Sequence, residues 1–282
     1  MALFFLHNIV VDRIFLFWEM DCHCHWYPPE FSLEEIYSLP DHVQGIIVVP
    51  ETLKTSELVL TMRHPRVWPC AGLHPLHPDD QGGIRSVTIN DWTPMESFIR
   101  SHHTHLVALG ECGLDYSRHH FDSLETLESA KASQMHVFKS HIQLSKELDL
   151  PLNVHSRNAG HYAVDALIES QAKGLLHAFD GNIKHALKAA SHGLYFSIPP
   201  SIVRNPGFQK LAREIPLDFL VLESDAPALP PVKGERNHPR NISISCQSIA
   251  SAKNLNLATV YQITTENAQK LFPKLVYSNT RA

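Results

Sequence analysis

The sequence predicts an α/β fold, a (β/α)8 TIM barrel, on three observations. Short apolar β-type runs alternate with longer segments whose apolar residues recur at helical spacing. Eight such runs occur in the 282 residues, close to the ~250 residues typical of this barrel. Residues able to bind a metal or a phosphate follow most of these runs, and barrel enzymes carry their catalytic residues at the C-terminal ends of strands.

A doubly wound open sheet is the main alternative, but no GxGxxG follows the first run, so a dinucleotide-binding version is unsupported. The predicted strands span residues 13–21, 44–50, 66–72, 106–111, 150–155, 174–179, 193–198 and 219–224. The clearest helix is predicted over 124–148, where Leu127, Phe138 and Ile142 belong to an apolar stripe. Residues 14–282 are expected to form one barrel domain, and residues 1–13 an N-terminal extension.

Composition narrows the functional classes. The net charge of −5 argues against a protein that binds long nucleic acid non-specifically, because such proteins usually present a basic surface. Five cysteines do not make a disulfide framework, which favours a reducing compartment, the cytoplasm or the nucleus. Asp12 and Arg13 interrupt the apolar start, so neither an export signal nor a membrane span is expected. No obligate protein partner is indicated.

The stretch DCHCH places His23 and His25 two residues apart at the end of the first predicted strand. Residues i and i+2 of a strand point to the same face, so both imidazoles face one side and suit one metal ion. Cys22 and Cys24 then face the other side and are interpreted as packing residues. A redox or mixed His/Cys site is therefore less favoured.

Further polar residues follow the later strands. Glu111 ends the fourth strand, where a carboxylate is costly unless it binds a cation or is well hydrogen-bonded. His155 ends the fifth strand. The guanidinium of nearby Arg157 can recognise a phosphate by two parallel hydrogen bonds. His177 lies in a strand otherwise too apolar for it, while His119 and His120 are interpreted as a solvated loop end.

Two carboxylates, Glu223 and Asp225, stand on one face at the end of the last strand, and His74 follows the third. Asp225 suits metal binding and proton transfer. Mixed nitrogen and oxygen ligands favour Zn²⁺, Mn²⁺ or Mg²⁺. The ligands outnumber those of one tetrahedral ion, so two or more divalent ions are expected, as in sites that catalyse phosphoryl displacement.

The motifs DCHCH, GLHP, GECGLDY, NVHSR, HAFDG and ESDAP occur in this order, followed by TTENAQKLF. In this the sequence resembles the TatD family of metal-dependent deoxyribonucleases, within the amidohydrolase-like barrels. The stretches RSVTIND and FSIPPSI are most similar to the animal group of TatD DNase domain-containing protein 3. The resemblance covers roughly residue 14 to the end.

The resemblance implies a role for each residue. His23, His25 and Asp225 would hold one metal, and Glu111 would bridge to a second that His155 and His177 complete. The resemblance also implies that Asp225 accepts a proton and that His74 and Arg157 contact the substrate phosphate. Glu223 would be a candidate ligand of a third metal. The implied activity is hydrolysis of phosphodiester bonds in DNA, from the 3′ end or at damaged sites.

Two other functions stay open at the level of sequence. One is a metal-dependent amidohydrolase or esterase that acts on a small molecule; the other is a non-catalytic metal-binding scaffold. The lysine that often bridges the metals of amidohydrolases is absent, and Glu111 takes its place. His238 stands where the family often has an acidic residue, which leaves the substrate preference of that loop in doubt.

Overall fold

The computed structural model describes residues 19–32, 34–35, 38–79, 81–121 and 124–275. In chain order its strands are β1 (Glu19–Cys24), β2 (Val43–Val48), β3 (Val67–Ala71), β4 (Leu76–Pro78), β5 (Ile84–Ser86), β6 (Ala108–Gly113), β7 (Leu152–His155), β8 (Gly174–Leu176), β9 (Tyr195–Ile198) and β10 (Leu220–Leu222). All except β4 and β5 form a closed parallel barrel, in which β10 pairs with β1. The predicted (β/α)8 barrel is confirmed.

The helices are α1 (Leu53–Thr61), α2 (Ile89–His102), α3 (Leu124–Leu148), α4 (Gly160–Ser170), α5 (Ile183–Ser191), α6 (Pro206–Glu214), α7 (Ile242–Lys253) and α8 (Leu257–Leu271). Thr52, Asn182 and Asn205 begin α1, α5 and α6, and each side chain accepts a hydrogen bond from a first-turn N–H. None of the described helices is long and apolar enough to cross a membrane.

Helix α3 has the bounds that the apolar stripe predicts. Leu127, Phe138 and Ile142 are all buried, at 6 %, 0 % and 4 % exposure. The period of 3.6 residues therefore places one continuous face against the barrel, and α3 packs on β6 and β7.

Several strand boundaries differ from the prediction, and two of these differences move a histidine. The described part of β1 begins at Glu19 and continues to Cys24, so His23 lies inside the strand instead of after it. Pairing of Cys24 with Val48 extends β1 this far. Conversely, β8 ends at Leu176, because Ala178 has a φ of +39° and leaves the strand, so His177 follows it. In addition, β6 continues to Gly113, so Glu111 lies inside the strand, and β10 ends at Leu222, before Glu223. Residues 13–18 of the predicted first strand, and the boundary at residue 13, lie outside the described residues.

The hairpin of β4 and β5 is not predicted from the sequence. It lies between β3 and α2, and its antiparallel strands are only three residues long. Asp79 organises its turn by accepting hydrogen bonds from the backbone of Gln81 and Gly83. The segment is too short and too rich in Gly and Pro to show a strand period.

The N-terminal end of the barrel contains a buried acid. Glu19 is 2 % exposed, and its Oε2 has no hydrogen-bond partner among the described residues. Burial raises the pKa of Glu19 to about 7, against the opposing effect of a hydrogen bond with Tyr261. The ionised carboxylate is therefore less stable in the folded chain than in water.

We expect Glu19→Gln to stabilise the protein above pH 7. Because the folded-state pKa is raised from 4.5 to about 7, the folded chain binds the proton more tightly, so wild-type stability falls as pH rises between these values. The variant should avoid this loss, which is on the order of 3 kcal/mol at pH 8. Urea unfolding at pH 5 and pH 8 measures the effect. Exposed Glu57→Gln serves as the control, and equal stability of Glu19→Gln and wild type at pH 8 would contradict the assignment.

Candidate active site

A cavity of about 520 Å³ opens at the end of the barrel where the parallel strands terminate. Seven of the predicted site residues line it: His25, His74, Glu111, His155, Arg157, His177 and Asp225. His23 is fully buried beneath the cavity floor, and its Nε2 lies 3.4 Å from Nε2 of His25. The structure thus gathers residues from six barrel strands, up to 202 positions apart in the chain, into one site.

The first donor group comprises Nε2 of His23, Nε2 of His25, Oδ1 of Asp225 and Oε2 of Glu111. The distances from the His25 nitrogen to Asp225 and to Glu111 are both 3.5 Å. Those from the His23 nitrogen are 3.6 Å and 3.9 Å. A tetrahedron of ligands about 2.0–2.3 Å from a central ion has edges of about 3.3–3.8 Å. The donor atoms of His23, His25 and Asp225 are 3.4–3.6 Å apart and therefore match one face of such a site.

The second donor group comprises Nδ1 of His155, Nε2 of His177 and Oε1 of Glu111. The carboxylate oxygen lies 2.8 Å from the His155 nitrogen and 3.0 Å from the His177 nitrogen. The two ring nitrogens are 3.4 Å apart. Nε2 of His74 lies 3.8 Å from the same oxygen, on the border of this group.

The Glu111 carboxylate lies between the two donor groups. Its Oε2 faces the first group and its Oε1 faces the second. Its side chain is 2 % exposed. Although burial opposes ionisation, the charges of His74 and His177 and the hydrogen bond from His155 hold the pKa of Glu111 well below its usual range. The carboxylate is therefore ionised at neutral pH, with one oxygen available on each side.

Each histidine of the two groups has its other ring nitrogen next to an acceptor. Nδ1 of His25 donates to the Val49 carbonyl at 2.8 Å. Nε2 of His155 lies 3.0 Å from Asp115. Nδ1 of His177 lies 3.5 Å from Glu223, a proximity of opposite charges without hydrogen-bond geometry. Such outer contacts fix the tautomer and the ring orientation of metal-binding histidines.

His23 has the most constrained orientation. The amide nitrogen of Asn153 donates to the Cys22 carbonyl at 2.9 Å, which leaves its oxygen as the acceptor for Nδ1 of His23 at 2.7 Å. The proton of His23 therefore sits on Nδ1, and Nε2 offers its lone pair to the cavity. Burial, reinforced by the nearby His177 charge, lowers the pKa of His23 to about 3, so the ring is neutral.

His25 and Asp225 shift each other's pKa in opposite directions. Although burial opposes it, the Asp225 hydrogen bond and the Glu111 charge raise the pKa of His25 to about 9. Burial also opposes ionisation of Asp225, but the His25 hydrogen bond and the His177 charge lower its pKa. Asp225 has a φ of +54°, in the left-handed region. Apart from glycine, Asn and Asp are the residues that adopt this conformation most often.

Glu223 does not line the cavity. Its side chain is fully buried, accepts hydrogen bonds from the Ala178 N–H and the Ser197 hydroxyl, and lies next to His177. This geometry favours an orienting role for Glu223, and a direct metal contact stays a prediction.

Three residues that sequence reasoning missed belong to the site. Glu51 lines the cavity, lies within metal-ligand reach of Glu111, and follows β2 much as the ligands of the other strands follow theirs. Asn153 stands two positions before His155 in the same strand and therefore shares its face. His120, expected in a solvated loop end, lines the cavity. The positions of Glu51 and Asn153 relative to their strands are the signals that could have revealed them.

The cysteines next to the histidines take the packing role that the strand period predicts. Cys22 and Cys24 are fully buried and free, and so are the other described cysteines. No disulfide joins any two of the described cysteines.

The match to a family model decides the affiliation of the chain. The model named TatD related DNase matches residues 20–273. The chain belongs to this family. Human deoxyribonuclease TATDN3 is 41 % identical over 267 residues, which cover 91 % of this chain and 95 % of that protein. The metal-dependent hydrolase YabD of Bacillus subtilis is 30 % identical over 89 % of this chain and 98 % of its own length.

The fold of the family is seen in solved structures. YjjV, a TatD homologue of Escherichia coli, superposes with a TM-score of 0.77 at 23 % identity, over 90 % of this chain and 98 % of that one. The family model and the human relative confirm the family resemblance of the motifs. Metal-dependent relatives and the clustered histidines and carboxylates together support the use of divalent metal ions.

We expect Asn153→Ala to weaken metal binding by about 10- to 100-fold, because His23 loses the acceptor that fixes its tautomer. Competition with a chelator of known affinity measures this without any assay of activity. Asn256→Ala removes the N-cap of α8 and should also cost stability, on the order of 1 kcal/mol, while metal affinity stays unchanged. Equal metal affinity of wild type and Asn153→Ala would refute the orienting role.

Proposed function

We propose that this chain is a metal-dependent deoxyribonuclease that hydrolyses phosphodiester bonds of DNA. The observation that carries the proposal is Glu111, whose two oxygens face two separate donor groups. Two or more divalent ions, Zn²⁺, Mn²⁺ or Mg²⁺, would be held there by His23, His25, Glu111, His155, His177 and Asp225. The name of the human relative, a deoxyribonuclease, supports DNA as the substrate.

The donor set fits the metals proposed. Its imidazole nitrogens and carboxylate oxygens suit borderline and hard divalent ions, and no thiolate contributes, since the described cysteines are buried away from the donor atoms. When bound, such ions acidify water and stabilise the negative charge of a phosphoryl group in displacement. The protein supplies orientation, proton transfer and contacts to the phosphate.

Asp225 is the proposed proton acceptor. Its carboxylate lines the cavity, is 7 % exposed, and is kept ionised by the adjoining histidines. Its backbone N–H donates to the His23 carbonyl at 2.9 Å, which ties the residue to β1. The attacking water would lose its proton to Asp225 while the neighbouring imidazoles hold the carboxylate in place.

His74 and Arg157 are the proposed phosphate contacts. Both line the cavity, and Arg157 is exposed and forms no ion pair with the described residues. A guanidinium with its five donors free can bind two phosphate oxygens at once. Nε2 of His74 lies 3.8 Å from Glu111, at the border of the second donor group, and its N–H would donate to a phosphate oxygen.

We expect Asp225→Asn to lower DNA hydrolysis by at least about 100-fold, because the amide cannot accept the proton. End-labelled single-stranded DNA incubated with Mg²⁺, Mn²⁺ or Zn²⁺ measures the rate. Progressive shortening indicates exonucleolytic cleavage from the 3′ end, and cutting at one abasic site indicates damage-directed cleavage. A folded wild-type protein that cleaves no DNA with any of the three metals, yet hydrolyses small amides or esters, would overturn the proposal in favour of the amidohydrolase alternative.

A further inference from the structure

A group of aromatic and imidazole rings beside the cavity has no role in the proposed chemistry. We define the stacking surface as Tyr116, His161, Tyr162 and His185. The rings of Tyr116 and Tyr162 meet edge to face, with centroids 5.3 Å apart. His161 lies 3.8 Å from Tyr162 and 5.6 Å from His185, measured between ring centroids. The four rings thus form one continuous row.

The row starts at the mouth of the cavity. Tyr116 follows Asp115, which lines the cavity, and its N–H donates to the carbonyl of the cavity residue Arg157 at 3.0 Å. Tyr162 lies in the first turn of α4, and His185 in the first turn of α5. Helices that follow parallel barrel strands begin at the C-terminal ends of those strands, so the row extends outward on the face that carries the site.

Tyr162 is unusual in its exposure. Tyr162 is 44 % exposed. Among the residues that the structure describes, no other tyrosine, phenylalanine or tryptophan is exposed to this degree. The other exposed large hydrophobic side chains of the described residues are aliphatic and belong to no ring cluster. A flat ring presented to solvent at the rim of an active site offers a π-face to a ligand.

The charges around the row suit a polyanion. Arg118, Arg157 and Lys184 are exposed near it, and the Lys131 ammonium lies 5.4 Å from the Tyr116 ring centroid. Glu128 pairs with Lys131, and Asp180 lies close to Arg157, so the carboxylates do not outnumber the cations. The exposed side chains of Arg118 and Lys184 can therefore contact the phosphates of a strand that lies along the row.

We propose that the stacking surface binds the unpaired bases of the DNA strand beside the scissile phosphate. Rings in a row with cations around them are the means by which proteins hold single strands without reading sequence, because every base has a π-face. Bases of a duplex are already stacked on one another and cannot use this surface. The inference rests on the proposed function and adds the surface that would hold the bases next to the cleavage site.

Binding of a fluorescent phosphorothioate oligothymidine, which resists cleavage, to the metal-loaded protein tests the surface by anisotropy. Tyr162→Ala should raise the dissociation constant about 5- to 100-fold, and Tyr162→Trp should keep wild-type affinity. Leu255→Ala is the matched control: this side chain is 41 % exposed, similar to Tyr162, and follows the C-terminal end of α7. It should bind as wild type does.

Three results would overturn the inference. These are unchanged oligothymidine affinity in Tyr162→Ala, an equal loss of affinity for a matched duplex, and tighter binding of oligouridine than of oligothymidine by wild type, which would assign the surface to RNA. Hydrolysis of bis(p-nitrophenyl) phosphate, a diester without bases, is measured on the wild type in parallel. If wild type cleaves this diester and DNA while Tyr162→Ala binds normally, the surface fails and the proposed function stands. If no diester is cleaved but Tyr162→Ala loses affinity, the proposed function fails instead.

Discussion

An ionised carboxylate buried in the mouth of the barrel is the constraint on which the site depends. Taking Glu111 out of water costs several kcal/mol unless opposite charges and donors compensate. The compensation comes from histidines in or just after β1, β3, β7 and β8. The second ring nitrogens of His23 and His155 are held in turn by Asn153 and Asp115, and that of His177 lies 3.5 Å from Glu223. The barrel strands that meet around Glu111 are therefore tied together by polar contacts as well as by the apolar core, and the same contacts give the donor atoms their directions.

The parts of the site that the sequence predicts are those that local rules determine. The two-residue period of a strand places His23 and His25 on one face, and barrel topology sends Glu111, His155 and Asp225 to one end. The distances of 2.8–3.9 Å between their donor atoms follow from strand register, which the sequence does not state. Glu223 shows the limit of the period-two rule: it stands two positions from Asp225, yet β10 ends at Leu222, before both residues, and only Asp225 lines the cavity.

What the sequence does not reveal depends on contacts between distant segments. Asn153 looks like an isolated polar residue until its partners, Cys22 and His23, are seen about 130 positions away. The stacking surface combines the loop after β6 with the first turns of α4 and α5, and no single segment carries a recognisable motif. The ends of β1 and β8 differ from the prediction because hydrophobicity marks burial, whereas the backbone sets where a strand stops, through the φ of Ala178 and the pairing of Cys24.

The hairpin of β4 and β5 supplies a side of the cavity without belonging to the barrel sheet. Leu76, His77, Pro78, Gly83 and Ile84 all line the cavity, yet the hairpin strands pair only with each other. Insertions or exchanges in this turn would leave the register of the eight parallel strands intact. Changes in the hairpin would therefore alter which substrates enter the cavity without moving the donor atoms. Substrate selectivity and catalysis are thus carried by separate parts of the fold, and the hairpin is the part in which selectivity can be engineered.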